Sequence, residues 1–245
     1  MKVIGIIPAR WGSTRFEGKV LASIASKPMI EHVWSRSLKS KVLSEVIIAC
    51  DDKKVFDTAI SFGAKAVMTS KDHNTGTDRI AEAVENLDAD IVVNIQADEP
   101  LIDCSIIDNL AQALIGDELA SISTAIKEIE NKEDLVNKNV VKVVIDNSGY
   151  ALYFSRSLIP FNRVGEQIKD VTYYKHLGIY AYRKDFILKF KSLPQTSLEQ
   201  TEKLEQLRAI EAGYKIKTVL TDIETIGVDT KEDLEIVEGI LNNPR

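Results

Sequence analysis

Cysteine is scarce in this sequence: Cys50 and Cys104 are the two present, and they lack the short spacing of a metal-binding or redox pair. Their scarcity indicates a reducing compartment. Long apolar runs are also missing, since none approaches the ~20 residues of a membrane span. The opening MKVIGIIPAR begins as a strand, so we expect no secretory signal. We therefore expect a soluble, cytoplasmic protein that does not bind membranes.

An excess of positive charge is absent as well. Lys and Arg number 31 against 37 Asp and Glu, which gives a formal net charge of -6. Binding to a nucleic-acid backbone requires many basic side chains that displace counterions, so nucleic acid is not the expected partner. Linkers, repeats and low-complexity tracts are missing too, and 245 residues can bury a substantial core. We expect a single domain over residues 1–245.

Apolar runs alternate with helical patterns along the first half of the chain. KVIGIIP (2–8), EVIIACDD (45–52) and DIVVNIQADEP (90–100) are typical of strands buried on both faces. Apolar residues then recur at helical spacing in 75–87 and 106–114. This alternation predicts an α/β fold with a mainly parallel sheet flanked by helices. In such sheets ligands collect at the carboxyl ends of the strands.

The second half departs from this alternation. VVKVVIDN (140–147) and GYALYFSR (149–156) predict two strands joined by a turn, and KHLGIYAYR (175–183) predicts another strand. The polar residues 162–172 are expected to form a loop. The chain thus makes a β-rich excursion at about residues 150–180.

Two helices are predicted near the carboxyl terminus. The first runs from Leu198 to Ala212, capped by Ser197, with Gln200 completing a capping box and Gly213 supplying a left-handed stop. The second begins after Asp229-Thr230 and ends near Leu241.

A basic loop follows the first strand of this acidic protein. Its sequence, IIPARWGSTRFEGK (6–19), breaks from the strand at Pro8 and fits neither the P-loop nor the G-x-G-x-x-G spacing. Arg10, Arg15 and Lys19 can converge on an anion, and the loop's glycines let backbone amides approach it. Three cations suit a polyphosphate better than a single phosphate. A solvated surface loop is the alternative.

Two aspartates, Asp98 and Asp229, each follow an apolar strand-like segment. Oxygen ligands suit a hard ion such as Mg²⁺, and the sequence has no His or Cys cluster for a softer metal. Two unrelated groups are the alternative, because helix capping alone would account for Asp229. Capping would equally account for Thr77 and Asp78.

Eight blocks carry a resemblance to a known family. They are IPARWGSTRFEGK (7–19), KPMIEHV (27–33), TGTDRIAEA (75–83), NIQADEPLI (94–102), GYALYFSR with IPF (149–161), KHLGIYAYR (175–183), LEQLRAIEAGYKIK (204–217) and GVDTKEDL (227–234). In this order they resemble the 3-deoxy-manno-octulosonate (KDO) cytidylyltransferase, or CMP-KDO synthetase, family over nearly the whole chain.

The resemblance implies a Rossmann-like nucleotide-diphospho-sugar transferase fold. It also implies a reaction in which the anomeric hydroxyl of KDO attacks the α-phosphate of CTP and releases pyrophosphate, as a step of lipopolysaccharide biosynthesis. Mg²⁺ is the implied cofactor. The implied assembly is a homodimer that associates through the excursion around residues 150–180.

The resemblance also implies roles for individual residues. The catalytic groups are Lys19, Arg10, Arg15 and Asp98, and the metal ligands are Asp98 and Asp229. The nucleotide-binding residues are Ala9, Arg10, Gly12, Ser13, Lys19, Thr77, Asp78 and Arg79. The sugar-binding residues are Arg15, Gln96, His176, Tyr180, Glu205 and Gln206. A structural role is the alternative for His176 and Tyr180, and is the expected one for His32 and His73.

Two positions depart from the family pattern. Phe16-Glu17-Gly18-Lys19 stands where the family usually has LPGK, so Glu17 places a carboxylate beside the expected phosphate site. Ala97 replaces the usual glycine before Asp98. Alternatives within the same architecture are transfer to the 8-amino form of the sugar, to neuraminic acid or to a neutral sugar phosphate. Those outside it are a catalytically silent nucleotide-binding regulator and a structural partner protein.

Overall fold

Apolar strands buried on both faces form the centre of the molecule. The computed structural model describes residues 1–12, 17–163 and 171–242. The strands are β1 (Val3–Ala9), β2 (Ser23–Ile24), β3 (Lys27–Pro28), β4 (Leu43–Cys50), β5 (Lys65–Met68), β6 (Ile91–Asn94), β7 (Ala120–Glu128), β8 (Lys142–Ile145), β9 (Ala151–Ser155), β10 (Tyr174–Arg183) and β11 (Lys215–Leu220).

Helices connect most of these strands. They are η1, a 3₁₀ turn (Lys19–Leu21), α1 (Met29–Ser37), α2 (Lys53–Ser61), α3 (Gly76–Val84), α4 (Cys104–Ile115), α5 (Lys132–Val136), α6 (Lys184–Phe190), α7 (Ser197–Glu202), α8 (Gln206–Glu211) and α9 (Lys231–Asn242). Among the described helices, none is long and apolar enough to cross a bilayer.

The main sheet has the strand order β11-β7-β10-β6-β1-β4-β5. The pairs β1–β4, β1–β6, β4–β5 and β7–β11 are parallel, while β10 runs antiparallel to both of its neighbours. The predicted mainly parallel α/β sheet is thereby confirmed. The predicted hairpin is also present, because β8 and β9 pair antiparallel and β8 joins the sheet through β10.

Each face of the sheet is covered by helices. In β1, Val3 and Ile7 pack towards α1, α2 and α4, whereas Ile4 and Ile6 pack towards α3, α6 and α8. Burying an isoleucine side chain fully contributes about 1.5–3 kcal/mol. The alternation therefore fixes the register of β1 and the point at which its carboxyl end opens into the first loop.

A separate apolar cluster holds the carboxyl-terminal segment in place. Val228 and Val237 pack against Ile24 and Met29, next to α1. The backbone N–H of Val228 donates to the carbonyl of Asp98 at 2.8 Å. These contacts bring the residues before α9 to the carboxyl end of β6.

The first strand runs one residue past its predicted end. It includes Pro8, which was expected to break the strand, and stops at Ala9. Pairing with β6 ends at Ile6, while pairing with β4 continues to Ala9. Because Pro8 faces the side where β6 has already ended, its missing N–H costs no ladder hydrogen bond.

The helix predicted over 198–212 is wrong as a single element. It is divided into α7 and α8 by Lys203, which adopts the left-handed conformation with φ 55°. A buried ion pair between Glu199 and Arg208 joins the two short helices. This tertiary contact outweighs the continuous helical pattern. The sequence alone could not reveal the contact.

The cap of this region also differs from the prediction. Thr196, and not Ser197, is the N-cap of α7, and its capping-box partner is Glu199, not Gln200. The predicted stop is present, since Gly213 has φ +81° after α8. The final helix has its predicted extent within one residue, from Lys231 to Asn242.

Candidate active site

A cavity of about 440 Å³ opens at the carboxyl ends of β1 and β6. Six of the predicted site residues line it, namely Arg10, Lys19, Arg79, Gln96, Asp98 and Asp229. Its other lining residues are Pro8, Val20, His73, Asn74, Thr75, Gly76 and Ala97. The parallel strands thus deliver the predicted groups to one edge of the sheet.

Lys19 lies between the two predicted metal ligands. Its Nζ donates to Asp98 Oδ2 at 2.8 Å and to Asp229 Oδ1 at 3.0 Å. Burial alone would lower the pKa of Lys19, but the hydrogen bonds and negative charges of Asp98 and then Asp229 outweigh it and raise that pKa. Two carboxylates separated by 131 positions in sequence therefore share one cation.

The structure shows that residues other than Asp229 cap α9. Thr230 Oγ1 accepts from the N–H of Asp233, and the Asp233 carboxylate accepts from the N–H groups of Asp229 and Thr230. This reciprocal arrangement caps α9. The side chain of Asp229 consequently points to Lys19 and not along the helix.

Arg79 forms the buried side of the cavity. Its side chain is 3% exposed, and it donates to Asp51 Oδ2 at 2.8 Å as well as to Thr69 and the carbonyl of Ser70. The other oxygen of Asp51 accepts from the N–H of Trp11 at 2.9 Å. The Arg79 side chain is therefore fixed in place and forms part of the cavity wall.

The start of α3 is capped by Thr75, whose Oγ1 accepts from the N–H of Asp78 at 3.1 Å. Capping by Thr77 or Asp78 is therefore incorrect. Thr77 Oγ1 instead donates to Glu205 Oε2 at 2.6 Å. Neither Thr77 nor Asp78 lines the cavity, whereas Thr75 and Gly76 do.

The predicted sugar-binding residues of β10 lie beside the cavity and not in its wall. His176 Nε2 is 3.0 Å from Thr124 Oγ1, and its ring packs edge-on against Phe154 and near Tyr180. Burial lowers the pKa of His176 to about 3, so its ring is neutral at pH 7. Gln96 connects this region to the cavity by donating to the carbonyl of Gly178 at 3.0 Å.

Glu205 and Gln206 lie at the start of α8. Glu205 lines a second cavity of about 220 Å³, which shares Thr75 with the larger one. Burial raises the pKa of Glu205 in spite of its hydrogen bond with Thr77. In the described part of the chain, Gln206 Nε2 is buried without a hydrogen-bond partner. A buried amide donor in this state suits a polar ligand or a water molecule.

The remaining predicted residues belong to the first loop. Ala9 is fully buried at the end of β1, and Gly12 is exposed. Ser13 and Arg15 fall outside the described residues. Within those described, the cationic side of the cavity consists of Arg10 and Lys19.

Comparison with known proteins decides the family. Residues 4–217 match the family model described as Cytidylyltransferase. The 3-deoxy-manno-octulosonate cytidylyltransferases of Geotalea daltonii and Thermodesulfovibrio yellowstonii are each 50% identical to this chain; the alignments cover 97% and 99% of both partners, respectively. The chain belongs to the 3-deoxy-manno-octulosonate cytidylyltransferase family.

A solved structure supports the same family at the level of the fold. A CMP:2-keto-3-deoxy-manno-octonic acid synthetase complexed with CTP superposes with a TM-score of 0.95 at 41% identity, over the whole of both chains. The predicted nucleotidyltransferase-like α/β fold is therefore confirmed.

Both departures from the family pattern have a structural account. Glu17 Oε1 accepts from the indole N–H of Trp11 at 3.0 Å, so its carboxylate is held by Trp11 and does not line the cavity. Ala97 lies in the cavity wall with little exposure. Neither residue removes a charged group from this family's expected site.

Sequence reasoning missed one wall of the cavity. His73, Asn74 and Thr75 line it, although His73 was expected to be structural and does contact Glu82. They follow β5, a short strand whose weak pattern was not recognised. The rule that ligands collect at strand ends would have found them once that strand was known.

Proposed function

We propose that this chain transfers CMP from CTP to the anomeric hydroxyl of 3-deoxy-manno-octulosonate, with release of pyrophosphate, in lipopolysaccharide biosynthesis. The names of its relatives and the CTP-bound structural neighbour support this reaction. The same names favour KDO over its 8-amino form. The observation that carries the proposal is the convergence of Asp98 and Asp229 on Lys19, in a cavity that also holds Arg10.

A site for two anionic substrates that also contains two carboxylates needs a further cation. Asp98 and Asp229 offer oxygen ligands, which suit Mg²⁺. Among the described residues there is no cluster of three or more His, Cys, Asp or Glu that could hold a metal. This donor set fits an ion that takes its other ligands from phosphates and water. When bound there, Mg²⁺ supplies Lewis-acid polarisation and lowers the pKa of the attacking hydroxyl.

The chain's own residues bind and orient the reactants. Lys19 and Arg10 stabilise negative charge on the α-phosphate and on the departing pyrophosphate. The hydroxyl oxygen bonds to the α-phosphorus while the bond from phosphorus to the bridging oxygen breaks. Pyrophosphate leaves with that electron pair, and the hydroxyl proton passes to solvent. Arg15 is proposed as a further cation of this set.

The sugar is proposed to bind between Gln96 and the buried polar groups beyond it. His176 is neutral, so it contributes hydrogen bonding and not charge. Tyr180 and Glu205 supply further polar atoms, and Gln206 has a buried amide donor without a hydrogen-bond partner among the described residues. Polyhydroxylated ligands require such paired donors and acceptors, because each buried polar group left unpaired costs about 1–3 kcal/mol.

Pyrophosphate release tests this function. The purified protein is assayed with CTP and Mg²⁺ and, in separate arms, KDO, its 8-amino analogue, N-acetylneuraminate or no sugar. We expect release in the KDO arm and its loss on chelation with EDTA. If the folded protein released no pyrophosphate with either KDO or its analogue, the proposal would be contradicted. Release that survives chelation would contradict it as well. Asp88→Asn, on an exposed pair with Lys2, serves as a control that keeps activity.

We further propose that the chain is a single cytoplasmic domain that forms a homodimer through the excursion at 150–180. In the described sheet β9 pairs with β8 alone; Leu152 of β9 is exposed, and so is Phe161 after it, by 80%. An unpaired edge with exposed apolar side chains favours association. Sedimentation of the wild type and of a Leu152→Glu/Phe161→Glu variant measures this, and a monomeric wild type would contradict it.

A further inference from the structure

Asp51 is a buried carboxylate that the proposed reaction does not use directly. It follows β4, its side chain is 13% exposed, and both of its oxygens are engaged. Oδ1 accepts from the N–H of Trp11 at 2.9 Å, and Oδ2 accepts from Arg79 Nη2 at 2.8 Å. One side chain therefore joins two segments that are distant in sequence.

The first of these segments is the cationic wall of the larger cavity. Trp11 follows Arg10 directly, and its carbonyl accepts from the N–H of Gly18 at 3.1 Å. Gly18 precedes Lys19 and packs against the Trp11 ring so closely that a Cβ there would lie 2.8 Å from it. Fixing the backbone of Trp11 therefore fixes the positions from which Arg10 and Lys19 enter the cavity.

The second segment is the polar wall at the start of α3. Arg79 belongs to this helix, whose first turn places Thr75 and Gly76 in the cavity wall. The guanidinium of Arg79 also donates to Thr69 and Ser70, just after β5. Asp51 is thus the link between the end of β1 and the group formed by β5 and α3.

We propose that Asp51 is a positioning residue for the nucleotide, which sets the separation between the cationic wall and the polar wall. The inference rests on the proposed function, because it takes CTP to span both walls, with its phosphates at Lys19 and its cytidine towards Thr75. A ligand that contacts both walls gains affinity when their separation is already correct. A ligand that contacts one wall does not depend on that separation.

The chain offers a matched control for the effect of breaking a buried ion pair. Glu199 and Arg208 also form a buried carboxylate–guanidinium pair, but they join α7 to α8 and neither lines the larger cavity. Removing one partner of a buried pair is destabilising in either place. Of these two described pairs, the one that contains Asp51 connects the two walls of the nucleotide cavity and the other does not.

Calorimetric titration of CTP and of inorganic tripolyphosphate, each with Mg²⁺, tests the proposal in the full chain. Tripolyphosphate lacks the cytidine, so the proposal places it against the cationic wall alone. In Asp51→Asn, which keeps an acceptor for Trp11 and loses the charge facing Arg79, we expect the Kd for CTP to rise about tenfold. The Kd for tripolyphosphate should change less than threefold. In Glu199→Gln both constants should stay within twofold, although both variants melt at lower temperature.

If Asp51→Asn raised the Kd for CTP and the Kd for tripolyphosphate equally, or left the Kd for CTP unchanged, the role of Asp51 would be overturned. If this variant does not fold, Asp51→Glu keeps the charge and lengthens the link by one methylene group. Asp51→Glu should raise the Kd for CTP more than the Kd for tripolyphosphate. Wild-type affinity for CTP in this variant would overturn the inference as well. A wild type that binds no CTP would instead refute the proposed function, and this inference with it.

Discussion

Replacing Lys19 with methionine removes the cation that Asp98 and Asp229 share while keeping a side chain of similar length. In the structure the ammonium lies 2.8 Å and 3.0 Å from the two carboxylate oxygens. A divalent ion bound by the same two carboxylates must displace it. We therefore expect Lys19→Met to bind Mn²⁺, used as a probe for Mg²⁺, more tightly than the wild type in the absence of nucleotide.

The exposure of the three side chains sets the size of this effect. At ~3 Å and an effective dielectric constant of ~20, each contact has a gross Coulomb energy of roughly 5 kcal/mol. Solvent reduces this strongly, because the side chains of Asp98 and Asp229 are 35% and 59% exposed, and exposed pairs retain ~0.2–1 kcal/mol each. The two contacts together give a net gain of ~0.4–2 kcal/mol, which corresponds to roughly 2- to 30-fold in the Kd for Mn²⁺.

The assay is Mn²⁺ titration followed by electron paramagnetic resonance, with and without CTP. In the wild type we expect CTP to draw Lys19 towards its phosphates, so nucleotide and metal should strengthen each other's binding. In Lys19→Met that coupling should shrink, and turnover should fall by roughly 10² to 10³. Lys53→Met, from an exposed pair with Asp57, is the control. Mn²⁺ affinity that is unchanged or weaker in Lys19→Met would refute the reasoning.

Further expectations concern Asp98, His176 and Lys203. Asp98→Asn should abolish pyrophosphate release and leave the melting temperature nearly unchanged, because its ion pair is partly exposed; a large fall would instead show a structural role. The pKa of His176 is about 3 in the folded state and 6.5 in the unfolded state, so the contribution of its neutral ring to the free energy of unfolding should be fully present above pH 6.5. As the pH falls from 6.5 towards 3, the free energy of unfolding should decrease by up to ~1.4 kcal/mol per pH unit. Urea unfolding from pH 4.5 to 7 measures this slope, which should be smaller in His176→Gln; equal slopes would contradict the buried neutral ring. Lys203→Gly, at φ 55°, should raise the melting temperature by about 2–4 °C, whereas Lys191→Gly, at φ -54°, should lower it.

Much of the sheet could be predicted because its pattern is local. A strand buried on both faces is apolar at almost every position, so β1, β4 and β6 stand out in the sequence. Their shared direction then placed Asp98 and the first loop at one edge. The short strand β5 is less apolar, and the cavity wall that follows it was missed for that reason.

Tertiary contacts decided what the local pattern could not. The apolar spacing of residues 198–212 is compatible with one helix, whereas the structure turns at Lys203 and joins the two short helices through the buried pair of Glu199 with Arg208. Likewise, the sequence offered Thr77 and Asp78 as equal capping candidates, whereas the structure uses Thr75 and directs Thr77 to Glu205. A hydroxyl at a helix start has several possible partners, and the packing of α8 selects among them.

The two carboxylates that meet at Lys19 come from different parts of the fold. The general Cytidylyltransferase match ends at residue 217, so it contains Lys19 and Asp98 but not Asp229. Asp229 is brought in by a later segment, which is held by the Val228–Asp98 backbone hydrogen bond and by the burial of Val237 of α9 against Ile24 and Met29. Burying such a side chain contributes about 1.5–3 kcal/mol, comparable to the electrostatic energies at the site. The position of the second carboxylate therefore depends on apolar packing behind it, and loosening α9 should displace Asp229 from Lys19 before it affects the sheet.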